Sequence, residues 1–159
     1  MTTARPCSVA DALALVGEKY SLLILREVFY GVRRFDAMAR NIGAPRDILA
    51  ARLKRLVEAG LLEKTAYSER PPRHEYLPTA AAIELQDVLH MLRKWGDRHL
   101  AEQPSVVFAH SCGQELDPIV TCRCCGQAVT PGSLTADYRV PGWSAKGWSA
   151  PESASPDGG

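Results

Sequence analysis

The sequence predicts a mainly α domain carrying one β-hairpin, followed by a small β-prone appendage. Three observations lead there. Four short apolar-periodic segments each stop at or near a glycine, at positions 17, 31, 43 and 60. Two strand-like runs then flank a proline-rich stretch at 68–73, ahead of one long amphipathic segment. Beyond Pro104 the helical period is lost, and four of the five cysteines crowd into residues 112–125.

Ser8-Val-Ala-Asp11 has the form of a capping box ahead of Ala12, Leu13, Leu15 and Val16, so a first helix starts near Ser8 and ends at Gly17. Ser21 to Tyr30 reads as a strongly apolar second helix closed by Gly31. Arg34 to Asn41 gives a short third helix with Phe35, Met38 and Ala39 facing inward. Gly43-Ala-Pro45 is a turn, and Pro45 suits the first position of a fourth helix running to Ala59. There Leu49, Leu53, Leu56 and Val57 repeat at i, i+4, i+7 and i+8, and Gly60 closes the element. Leu61 to Tyr67 and His74 to Leu77 are the strands of the hairpin, with Ser68 to Arg73 as its tip.

Thr79 opens a helix expected to run unbroken to Leu100. Its stripe of Ile83, Leu85, Val88, Leu89, Leu92 and Trp95 is wider than one small domain buries, which predicts a partner helix. Val106 to Val129 is β-prone. From Pro131 the chain is rich in Pro, Gly, Ser and Ala and repeats Gly-Trp-Ser-Ala at 142–145 and 147–150. That composition predicts an unstructured tail. The expected division is therefore 1–103 for the winged-helix domain, 104–130 for a Cys/His zinc-ribbon-like hairpin and 131–159 for the tail.

Composition narrows the function. With 19 Lys+Arg against 18 Asp+Glu and 46% hydrophobic residues, the 159-residue chain is not mainly disordered. No uncharged apolar run reaches the roughly 18 residues a membrane span needs, and no apolar h-region follows Met1, so a cytoplasmic location away from membranes is expected. The net charge of +1 is unevenly spread: Arg26 to Arg73 holds 11 basic and 6 acidic residues. A locally basic segment in a near-neutral protein suits contact with a polyanion. No pattern of catalytic base and substrate pocket stands out, so no enzymatic activity is expected.

Two short helices around a tight turn, followed by a hairpin, make a winged helix-turn-helix. Such a module presents its second helix to the DNA major groove, while the hairpin reaches the neighbouring backbone or minor groove. The segments Gly17-Glu-Lys-Tyr-Ser-Leu-Leu-Ile-Leu-Arg26, Gly31-Val-Arg-Arg-Phe-Asp36, Leu49-Ala-Ala-Arg-Leu-Lys-Arg-Leu56 and Pro71-Pro-Arg-His-Glu-Tyr76 resemble the HxlR-type family of bacterial transcriptional regulators, over residues 7 to about 100. The resemblance implies a homodimeric repressor or activator of double-stranded operator DNA, paired through its first and last helices. Departures at Tyr20, Pro45 and Pro78, where the family commonly has Trp, a Ser or Thr cap and an uninterrupted Leu-Thr, bear on the choice of operator.

With Leu49, Leu53 and Leu56 turned to the core, Arg46, Asp47, Ala50, Ala51 and Lys54 lie toward the opposite face of the fourth helix. Arg46, in the first turn, is the candidate for a bidentate contact to guanine. Arg52, Lys54 and Arg55 are candidates for phosphate contacts, and Arg70 and Arg73 at the wing tip for the flanking backbone or minor groove. Arg33 and Arg34 stand between a DNA role and ion pairing with Asp36 or Glu27.

The cysteines pose two questions. Cys7 sits at the start of the first helix beside Arg5, where unpaired amides favour an anion. It reads either as a redox or electrophile sensor, a role the resemblance implies for some members, or as an inert interface residue. Around the second cluster, Cys122-Arg-Cys124-Cys125-Gly126 has the form of a metal knuckle. Together with His110 and Cys112, Cys122 and Cys125 are the candidate ligands of a structural Zn2+, leaving Cys124 spare. Redox-active thiols or a disulfide compete with that assignment. Two other classes remain open: a small zinc or thiol-redox protein, and a winged-helix module that binds proteins rather than DNA.

Overall fold

The computed structural model describes residues 5–148. Its chain divides into two compact units, Ala12–Ile119 and Met1–Asp11 with Val120–Gly159. In the larger unit and its leading helix the order is α1 (Ser8–Val16), α2 (Ser21–Phe29), α3 (Phe35–Ile42), α4 (Arg46–Glu58), β1 (Leu62–Glu69), β2 (Pro72–Pro78), α5 (Ala80–Ile83) and α6 (Leu85–His99). No helix among the described residues is long and apolar enough to cross a membrane.

The core forms where three helices turn apolar faces to one another. Ile24, Leu25 and Val28 of α2, Met38 of α3, and Leu49, Leu53 and Leu56 of α4 are all buried, joined by Leu61, Leu62 and Ala82. The spacing of 49, 53 and 56 places three leucines on one stripe of α4, as the 3.6-residue period demands. Two helices end in the same way. After α2 the Val32 amide donates to the Glu27 carbonyl at 2.9 Å, and after α4 the Leu61 amide donates to the Leu56 carbonyl at 2.9 Å. Both closures need a left-handed residue between, supplied by Gly31 (φ +83°) and Gly60 (φ +71°).

One acid is buried in this unit. The Glu27 carboxylate accepts from Arg26 Nη2 at 2.7 Å through one oxygen and from Asn41 Nδ2 at 2.7 Å through the other. A carboxylate this enclosed is tolerable only when both oxygens are bonded. Its partners reach it from its own helix and from the end of α3, so the pair of helices is fixed at that point.

Several boundaries differ from expectation. Pro45 is the N-cap of α4 and not its first residue; its extended ψ of 140° leaves its carbonyl to accept the Leu49 amide at 2.9 Å. The strands run to Glu69 and from Pro72, so the tip is Arg70-Pro71 alone. Pro72 and Pro78 occupy the two ends of β2, where a missing N–H costs the ladder little. The register slips by one between Ala66 and Ser68, leaving Tyr67 as the bulged residue. The long helix is divided at Glu84 into α5 and α6. Thr79 caps α5: its hydroxyl accepts from the Ala82 amide and donates to the Gly60 carbonyl, tying the end of the wing to the end of α4.

The smaller unit is also ordered in part. Residues 131–148, expected as an unstructured tail, hold a 3-10 turn at Pro131–Ser133 and a hairpin of β3 (Trp143–Ser144) with β4 (Gly147–Trp148). Trp143-Ser144 pairs with Gly147-Trp148 across one short turn, Trp143 opposite Trp148. The expected disorder at 149–159 lies outside the described residues.

Glu27→Ala removes the buried acceptor that the half-buried Arg26 and the exposed Asn41 share. It should lower the unfolding free energy by about 1–2 kcal/mol in urea titration, below the roughly 3–5 kcal/mol of a fully buried pair because both donors can turn to water. A change below about 0.5 kcal/mol would show that Arg26 and Asn41 find other partners.

Candidate nucleic-acid interface

The outer face of α4 carries Arg46, Asp47, Ala50, Ala51 and Lys54, all exposed, opposite the buried leucine stripe. Arg46 lies in the first turn. Its guanidinium donates to Asp36 Oδ1 at 2.8 Å and stands 4.8 Å from the centre of the Phe35 ring. Both partners of that ion pair are about 70% exposed (69% and 70%), so the pair is weak in water and the arginine is held loosely on its aromatic rest. Lys54 is paired only with Glu58, at 3.7 Å along the helix.

Arg52 and Arg55 are placed differently from Lys54. Arg52 Nη1 lies 2.7 Å from one Glu18 oxygen, and Arg55 Nη1 3.1 Å from the other. Arg55 also donates to the Ala14 carbonyl of α1. These two guanidiniums fasten α4 to the turn after α1, on the flank away from the Arg46–Lys54 stripe. Spacing alone grouped the three basic residues together; the side-chain partners separate them.

The wing is pinned to the start of α3 by backbone bonds. The Tyr76 amide donates to the Arg33 carbonyl at 2.9 Å, and Arg34 bridges to Glu75. Between wing and α3 this leaves a cleft of about 520 Å3 lined by Arg34, Arg40, Lys64, Arg73 and His74, with Tyr76 at its wall. The Arg34 guanidinium lies 4.6 Å from the Tyr67 ring. Asp36 is the one acid on this wall, and Arg46 already holds it. Burial pushes the Tyr76 phenol above its ordinary value, which keeps it a donor at any working pH. Arg70 and Arg73 are exposed at and beside the wing tip, as expected.

Arg40, Lys64, Tyr67 and His74 were not among the expected site residues. Lys64 and His74 share a face of the hairpin because 64 pairs with 76 and 66 with 74. That register follows from a two-residue tip, and a six-residue tip hides it. The acids named for Arg33 and Arg34 have other partners: Glu27 is bonded by Arg26, and Asp36 by Arg46.

The cysteine-bearing turns are local structures. His110 to Gly113 is a tight turn in which the Gly113 amide donates to the His110 carbonyl at 2.9 Å and the Cys112 amide to His110 Nδ1 at 3.3 Å. Cys122 to Gly126 is a second turn, closed by the Gly126 amide on the Cys122 carbonyl at 2.7 Å. The backbone amides of Cys124 and Cys125 hold the Cys122 thiol below its ordinary value, helped by the Cys125 and Cys124 side chains. All five cysteines are exposed and unbridged, and no group of three or more His, Cys, Asp and Glu is gathered for a metal among the described residues. Cys7 is the residue before α1, its carbonyl accepting from the Asp11 amide at 3.0 Å. In the same unit the Arg5 guanidinium donates to the Ser144 carbonyl at 3.0 Å and lies 5.6 Å from the Trp143 ring.

Three helices around one core, a second helix exposed beyond a tight turn and a basic wing beside it define a winged helix-turn-helix of the DNA-binding kind. The chain belongs to the HxlR-like helix-turn-helix family, whose model matches residues 15–104. It is 46% identical over 142 residues to an uncharacterised HTH-type transcriptional regulator of Mycobacterium tuberculosis, covering 87% of this chain and 89% of that one. A regulator of the same description from Synechocystis is 34% identical over 64% of this chain and 76% of its own. Among solved structures, the proposed transcription factor PA1607 superposes with a TM-score of 0.74 at 28% identity, covering 84% of this chain and 95% of that one. The reduced form of the transcriptional regulator YodB from Bacillus subtilis gives 0.51 at 26% identity, over 60% and 95%. The family and these relatives make the chain a helix-turn-helix transcriptional regulator.

A lowered Cys122 value means more thiolate at neutral pH than an ordinary cysteine carries. Iodoacetamide alkylation of Cys122 in metal-free protein should therefore reach its half-maximal rate at a lower pH than alkylation of the same residue in urea-unfolded chain. The two curves should converge at high pH, where both forms are fully ionised. Coincident curves would show that the two amides do not face the sulfur in solution.

Proposed function

We propose that this protein is a homodimeric, sequence-specific transcriptional repressor of the cytoplasm. Each protomer lays the Arg46–Lys54 face of α4 in the major groove of one half-site. The single observation behind this reading is that α4 keeps one polar stripe exposed while its other basic residues are tied inward to Glu18. Arg46 is the base-reading residue: releasing it from Asp36 costs little, and a bidentate guanine contact repays it. Asp47, Ala50 and Lys54 complete the stripe. Arg34, Arg40, Lys64, Arg70, Arg73 and His74 supply phosphate contacts from the cleft and the wing tip. Arg52 and Arg55 act as supports that set the angle of α4.

Dimerisation is supported by α6, where Val88, Leu92 and Trp95 are 47%, 48% and 55% exposed on one stripe, and by Leu13 of α1. The signal we assign to Cys7, exposed at a helix N-terminus; the likeness to YodB, a regulator described in a reduced form, supports a thiol signal. Zinc on His110, Cys112, Cys122 and Cys125 is supported by the donor chemistry of each turn. His110 Nδ1 accepts an amide, which leaves Nε2 for a metal, and the Cys122 sulfur sits among amides that favour thiolate.

Fluorescence anisotropy against fragments selected from the genome, beside a shuffled control, tests the DNA reading. Arg46→Ala should weaken specific binding by about 1–3 kcal/mol, roughly five- to 150-fold, and relax preference at one base position. Equal affinity for target and control, or an Arg46→Ala variant that binds as well as the parent, refutes it. Leu92→Glu should convert the dimer to monomer in analytical ultracentrifugation; a dimer that persists removes α6 from the interface. Protein purified without a tag should carry about one zinc per chain, released on Cys125→Ser; less than about half an equivalent rejects the ligand set.

A further inference from the structure

The larger unit contains a cavity that the DNA-binding reading leaves unused. It measures about 610 Å3, within the roughly 300–1,000 Å3 range of small-molecule sites. α2 and α6 form its walls and the 105–108 segment borders it, so residues beyond the helical domain help to build it. Its apolar surface comes from residues such as Leu22, Phe29 and Leu89. Phe108 gathers an aromatic cluster there, with the Tyr30 ring at 5.9 Å and the His90 ring at 5.3 Å, edge-on.

The polar groups on the wall are mixed, with Gln86, His90, Ser105 and Glu27 beside two arginines, and each arginine is paired with an acid. Arg93 spans the bordering segment: Nη1 donates to Asp97 at 2.8 Å and to the Val106 carbonyl at 3.3 Å, and the guanidinium lies 5.2 Å from the Phe108 ring. Its Nε–H is buried with no acceptor among the described residues. An orphaned charged donor on a cavity wall is costly unless something supplies an acceptor. Arg26 and His90 add donors, and the one acid on the wall, Glu27, already has both oxygens bonded. The unpartnered Arg93 Nε–H beside the Phe108 cluster therefore favours a flat, largely apolar molecule that carries one anionic acceptor.

We propose that this cavity binds an aromatic anion of one or two fused rings, its rings against Phe108 and its charge toward Arg93, as a second input to the regulator. The input rests on the DNA-binding reading above. Glu27 links the two sites physically, since it borders the cavity and bonds Asn41 at the end of α3, directly before the turn into α4. A ligand that shifts Arg26 or Glu27 changes how α3 and α4 are held. Its effect on operator affinity is matched by an equal effect of DNA on ligand affinity.

Calorimetric titration of the full chain with naphthalene-2-carboxylate, beside neutral naphthalene-2-methanol, tests the site without DNA. One saturable equivalent per chain is expected, with the carboxylate at least tenfold tighter. Arg93→Gln should abolish that preference, and Phe108→Ala should weaken both compounds by at least tenfold. No saturable binding, equal affinity for the two compounds, or an Arg93→Gln variant that keeps the preference overturns the proposal. So does affinity that falls as protein concentration rises through the dimerisation range, which would mean that a second copy fills the cavity. Operator anisotropy with and without carboxylate then reads the coupling. A shift of at least threefold is expected, and an unchanged affinity removes the regulatory role. Ligand binding by a chain that ignores all DNA would instead refute the DNA-binding reading and leave the cavity assignment standing.

Discussion

Much of this structure depends on how one buried carboxylate is satisfied. Glu27 is 4% exposed, and its two oxygens are divided between Arg26 and Asn41. Apolar packing alone brings α2, α3 and α4 together but is non-directional, and leucines tolerate many crossing angles. A carboxylate that must keep both partners does not. It therefore selects one placement of α3 against α2, and the Gly43–Pro45 turn carries that placement into α4. This is a specificity device more than a source of net stability, because burying an acid costs much of what its bonds return.

The same logic divides the arginines of α4 into two classes. Arg52 and Arg55 share the two oxygens of Glu18, which neutralises them and braces the helix against the turn after α1. Arg46 instead rests on an exposed pair with Asp36 and on the Phe35 ring. A DNA groove offers phosphate and guanine acceptors that compete easily with a solvent-screened aspartate, and poorly with a carboxylate already chelating two guanidiniums. The interface follows from which acids lie nearby, since all these residues carry the same charge.

Much of the fold was legible because its signals are local. Glycines at 31 and 60 sit where left-handed closures are needed, and the leucines at 49, 53 and 56 announce one face of one helix. The wing was legible as a hairpin but not in register: prolines at 71 and 72 look like tip residues, and only pairing shows that Pro72 begins a strand. Arg40, Lys64 and His74 were missed for that reason, since their convergence is a matter of tertiary placement. The short hairpin near the C-terminus was not legible, because the composition around it reads as low complexity until Trp143-Ser144 pairs with Gly147-Trp148. The exposed position of Arg46 and the tight turn at Cys122 were visible from spacing. The cavity beside Phe108 was not, because nothing in the sequence brings residue 108 to α2.

In the proposed function α4 enters the major groove of paired half-sites with the wing on the flanking backbone. Hydroxyl-radical and methylation-interference footprinting of the bound fragment tests it most directly. Two symmetric patches with guanine N7 interference are expected, their centres about one helical turn (roughly 34–36 Å) or a multiple of it apart, each flanked by backbone protection from the wing. A single patch without N7 interference, or uniform weak protection along the fragment, would contradict it.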